Sequence, residues 1–96
     1  MTTLTADYLF PAAVELRAMG RERAIAVMVE AAATAGAAGR ADDDKNGRSP
    51  ATDRAELEAW LASYAHDEAA LDALGADVRE QAFAAAWAAY RREAGE

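Results

Sequence analysis

Cysteine is absent from this chain of 96 residues, histidine occurs once and serine twice. Without a thiol there is no disulfide framework and no thiolate metal site, and a reducing, intracellular setting is expected. His66 alone cannot assemble a zinc site. Neither Ser49 nor Ser63 has a base close by in sequence or a glycine-framed turn that would present a nucleophile. The chain is therefore read as a non-enzyme with no cofactor and no metal. Proline is confined to Pro11 and Pro50, and a run of about 18 apolar residues, the length that crosses a bilayer, does not occur. The first seven residues lack the basic segment and long apolar stretch of a secretory leader, so a cytoplasmic, membrane-free protein is expected.

What is present is alanine, at 29 positions, against 22 for all the larger apolar residues together. Alanine is the strongest helix former and β-branched residues are few, which points to an all-α fold: a small Ala-rich bundle of four to five helices in a single domain, 1–96. Pro11 pushes Phe10 out of the helical region and suits the first position of a helix that Gly20 ends. Ile25, Met28, Val29 and Ala32 follow the i, i+3, i+4, i+7 spacing of one helix face, with Gly36 as the stop. Residues 36–52 hold half of the glycines and prolines and are expected to form a flexible loop.

Asp53-Arg54-Ala55-Glu56 has capping-box spacing and opens a helix with Leu57, Trp60, Leu61 and Tyr64 on one side. A short helix over Asp67–Leu74 stops at Gly75. Asp77-Val78-Arg79-Glu80 repeats the capping spacing before a last helix that turns Phe83, Ala86, Trp87 and Tyr90 inward. His66 reads as a capping or surface residue. The aromatics read as core, some of them partly exposed at a binding surface, where Trp and Tyr are favoured anchors. Short joins favour antiparallel neighbours, while the long connection before Asp53 permits a crossover.

The net charge of −7 is concentrated. Residues 42–80 hold eleven acids against Lys45, Arg48, Arg54 and Arg79, whereas the segments on either side are balanced. Such a surface repels a phosphate backbone and attracts a basic protein, so direct nucleic-acid binding is disfavoured. Asp42-Asp43-Asp44-Lys45-Asn46-Gly47, with Asp53 at the twelfth position, resembles the opening of an EF-hand calcium loop. It departs from that pattern with Asp for Glu at the twelfth position, Ser49 at the eighth and Pro50 at the ninth.

Few large apolar side chains must offset the entropy of the whole chain, so a second copy or a bound partner is an expected source of further burial, and a homodimer is one candidate. The resulting functional expectation is an acidic interaction module that binds and inhibits a larger protein or ribonucleoprotein with a basic surface. By analogy of size and charge, the inhibitors of the anti-CRISPR and anti-restriction kind carried by phages and mobile elements are the narrower expectation. A calcium-binding module using 42–53 and a helical accessory subunit are the alternatives. The residues expected to face the partner are Asp42, Asp43, Asp44, Glu56, Asp67, Glu68 and Asp72.

Overall fold

Alanine is the strongest helix former, and the described residues of the computed structural model, 8–47 and 49–95, contain five helices and no strand. They are α1 (Ala13–Ala18), α2 (Arg21–Lys45), α3 (Arg54–Leu61), α4 (Ala65–Asp72) and α5 (Ala76–Glu93). Gly20 and Gly75 separate helices as expected. Each has a positive φ, +89° and +102°, which only glycine adopts without strain, and each serves as N-cap of the following helix. Asp53 caps α3 by accepting from the Glu56 N–H at 3.1 Å. The reciprocal arm of that box reaches Thr52, whose Oγ1 donates to Glu56 at 2.7 Å.

The expected loop over 36–52 is mostly helix. α2 continues through Gly36 and Gly39 to Lys45, and only the residues between 46 and 53 join it to α3. Asn46 ends it, donating its side-chain amide to the Asp42 carbonyl at 2.9 Å, and Gly47 follows with φ +67°. Each glycine costs a helix about 1 kcal/mol relative to alanine, and tertiary packing outweighs that here. A Cβ on Gly36 would lie 2.1 Å from the Ala86 carbonyl oxygen of α5, so the two backbones approach as only glycine permits. The second expected capping box is also replaced. Asp77 sits inside α5 and receives Arg21 at 3.4 Å, while Glu80 pairs with Arg54 at 2.6 Å and ties α5 to α3.

Helices α2 and α5 are the dominant pair. They run in the same sense: Arg21 meets Asp77 at one end, Gly36 meets Ala86 in the middle, and Asp43 meets Tyr90 at the other end. Helices α3 and α4 are thus the crossover that brings the chain back; both pack on α5, while α1 packs on α2 and α4. The whole is a slab of 39 × 35 × 18 Å, about two helix layers thick. Its core joins Phe10, Leu16, Met28, Leu57, Leu61, Leu71, Val78, Phe83 and Tyr90, all buried, with alanines of α2 and α5 filling the close seam.

Candidate functional site

The C-terminal end of α2 places Gly39, Asp42 and Asp43 on one side, three and four residues apart, and α3 places Glu56, Leu57 and Trp60 opposite them within one turn. Between them lies a cleft of about 480 Å³, closed at its base by Tyr90 of α5 and at its edge by Ser49 and Ala51. Three of the residues expected to face a partner, Asp42, Asp43 and Glu56, therefore meet at one site. Its described lining holds three carboxylates and no lysine or arginine.

Tyr90 organises the base. Its ring is 2% exposed, its hydroxyl donates to Asp43 Oδ2 at 3.1 Å and accepts from the Ala51 N–H at 2.7 Å, and its face stacks on Trp87 at 5.6 Å. One phenol thus joins α2, the 46–53 connection and α5. Burial raises its pKa above the usual 10.0, with the hydrogen bond to Asp43 acting the same way. Arg40 lies over the same ring at 5.6 Å and pairs with Asp44 at 3.2 Å, and that hydrogen bond raises the pKa of the guanidinium.

Trp60 forms the wall. It was expected in the core with Leu57 and Leu61, which are buried, yet it is 43% exposed. Its six-membered ring lies over Gly39, where a Cβ would stand 3.0 Å from Cζ3 and 3.1 Å from Cη2. Tyr64, placed on the same face by spacing, is 58% exposed and meets Tyr8 edge-on at 6.4 Å. An exposed indole beside carboxylates attracts positively charged groups, through the ring's π face and through Coulomb attraction together.

The remaining expected partner residues lie elsewhere. Asp44 and Glu68 are exposed, and Asp72 is exposed and paired with Arg79 at 2.7 Å. Asp67 is the clear correction, being fully buried. From the first turn of α4 its carboxylate accepts the Leu9 N–H at 3.1 Å and the Phe10 N–H at 3.1 Å, while His66 Nε2 meets the Phe10 carbonyl at 2.9 Å and its ring stacks on Tyr8 at 3.9 Å. Asp67 and His66 form a latch that holds Leu9 and Phe10, and the carboxylate of Asp67 is not presented at the surface. Nothing local in the sequence marks them for it, because the groups they bind are 56 to 58 residues away.

The resemblance to a calcium loop ends in the geometry. Asp42, Asp43, Asp44 and Lys45 are the last turn of α2 rather than a loop, which turns Asp42 and Asp44 to different sides of the helix. Asp42 Oδ1 accepts from Asn46 Nδ2 at 3.0 Å. Among the described residues, no group of three histidine, cysteine or acidic side chains is placed to hold a metal ion, and no helix is long and apolar enough to cross a membrane. The chain matches no protein-family model, no curated protein sequence and no solved structure.

Proposed function

We propose that the chain is a protein-interaction module that seats the face around Asp42, Asp43, Glu56 and Trp60 on a basic surface of a larger partner and inhibits that partner by covering it. The observation that carries this reading is convergence. Residues drawn from two separated acidic stretches of the sequence line one cleft beside an exposed tryptophan, the residue type most enriched among binding hot spots. The charge of residues 42–80 supplies the long-range attraction that speeds encounter with a basic surface. A protein seated there excludes any polyanion the surface would otherwise hold, and inhibition of a nucleic-acid-handling complex, as by a phage or mobile-element inhibitor, is the special case in which that polyanion is DNA or RNA.

The test begins with partner capture from the source cells and continues with association kinetics across ionic strength. Asp42→Lys combined with Asp44→Lys alters neither partner of the Asp43–Tyr90 hydrogen bond. Association should slow about tenfold at low salt and lose most of its salt dependence, as expected when steering charge is reversed. Association unchanged in rate and salt dependence would overturn the reading.

A further inference from the structure

Resting on the proposed binding of a basic partner, we infer that the side chain received by the cleft is an arginine in an extended peptide segment, stacked on Trp60 with its guanidinium turned to Glu56. The molecule already builds this arrangement twice from its own residues. Arg40 lies 5.6 Å from the centre of the Tyr90 ring and pairs with Asp44 at 3.2 Å. Arg79 lies 4.9 Å from the centre of the Phe83 ring and pairs with Asp72 at 2.7 Å. In both, one guanidinium lies over an aromatic ring and donates to a carboxylate.

Trp60 presents a third ring of this kind and the strongest π face of the three. Glu56 stands one turn before it on α3, and the ring rests against Gly39 of α2. Among the described residues no lysine or arginine lies over this ring, and Trp60, 43% exposed, lines the cleft. A planar guanidinium stacks and donates along its edge at the same time, whereas a lysine ammonium is a compact, strongly hydrated charge that gains less from the ring. A cleft of about 480 Å³ also accommodates the backbone on either side of such a residue.

The test is titration of the full chain with two peptides of equal length and charge, one rich in arginine and one in lysine, followed by the indole N–H resonance of Trp60. The arginine peptide should bind about fivefold more tightly and shift that resonance. Trp60→Leu should bring its affinity down to that of the lysine peptide, and Glu56→Gln should weaken both. Equal affinity of the two peptides for the unaltered protein overturns the inference and leaves the basic-partner reading standing. An arginine preference that survives in Trp60→Leu overturns the assignment to this ring. Failure of both peptides to bind at low salt overturns the inference and the reading together.

Discussion

Two glycines three residues apart on α2 have opposite consequences. At Gly36 the obstacle to a side chain is the α5 backbone, with a Cβ 2.1 Å from the Ala86 oxygen and 2.8 Å from its carbonyl carbon. At Gly39 the obstacle is the outer edge of the Trp60 ring, 3.0 Å away. A backbone in the middle of a helix cannot give way without moving the helix, while a ring at a cleft can tilt. One region is fixed by packing of main chain on main chain. The other is formed by side chains that keep a face toward solvent. The long helices meet backbone to backbone at Gly36, and the cleft lies where side chains alone make the contact.

The sharpest way to break that comparison is Gly36→Ala. The added methyl must force α2 and α5 apart, and we expect a loss of about 3 kcal/mol, the upper part of the usual range for overpacking and beyond what alanine's better helix propensity returns. Urea unfolding measures it directly. A change under about 1 kcal/mol would mean that the seam is far softer than its geometry.

Next in size is Asp67→Ala. It removes the acceptor of two backbone N–H groups, that of Phe10 being buried, and an unsatisfied buried donor costs about 1–3 kcal/mol. A destabilisation of about 2 kcal/mol is expected, together with faster hydrogen exchange at Leu9 and Phe10. Unaltered exchange at those amides would show that the latch does not hold the segment.

Tyr90 joins the two regions, since it is buried in the α2–α5 packing and its hydroxyl forms the base of the cleft. Tyr90→Phe removes the bonds to Ala51 and Asp43, which should cost about 1–2 kcal/mol at neutral pH. The pH dependence has a definite sign. In the unfolded chain the phenol ionises near 10.0, whereas burial raises that pKa in the fold, so the unfolded state releases its proton first. The contribution of Tyr90 is complete below pH 10 and is lost as pH rises through the raised folded value. Denaturation curves across that range should therefore bring the two proteins together in alkali. A gap independent of pH would assign the hydroxyl no differential ionisation.

The parts of this architecture legible in the sequence are those decided locally. Gly20 and Gly75 separate helices because a positive φ is a property of one residue, and Asp53 caps α3 because its acceptor reaches only three residues ahead. The expected inward positions Met28, Ala32, Leu57, Leu61, Phe83, Ala86 and Tyr90 are buried. What failed depended on distant partners. Gly36 reads as a helix stop until α5 is laid against it, 50 residues further along the chain. Asp67 is indistinguishable from the neighbouring acid Glu68 until Leu9 and Phe10 reach it. Trp60 shares the helical stripe of Leu57 and Leu61, but its ring lies against Gly39 at the end of α2, a contact between residues 21 positions apart that local spacing does not show. Charge identified Asp42, Asp43 and Glu56, and the end of a helix longer than expected brought them together.

Gly39→Ala gives the smallest expected effect on stability and the finest test of the difference between the two glycines. Alanine gains up to about 1 kcal/mol of helix propensity on α2, while its methyl displaces the Trp60 ring by a few tenths of an ångström. These oppose one another, so unfolding should shift by less than about 1 kcal/mol in either direction. The ring itself must respond, and the Trp60 indole resonance should move although the fold does not. A loss as large as that of Gly36→Ala would place the Trp60 wall among the rigid packing of the slab. An unmoved indole would place the ring clear of the helix. The expected result, a shifted ring on an unchanged fold, requires Trp60 to be held by a contact that can yield, which is what a wall that closes on an incoming side chain needs.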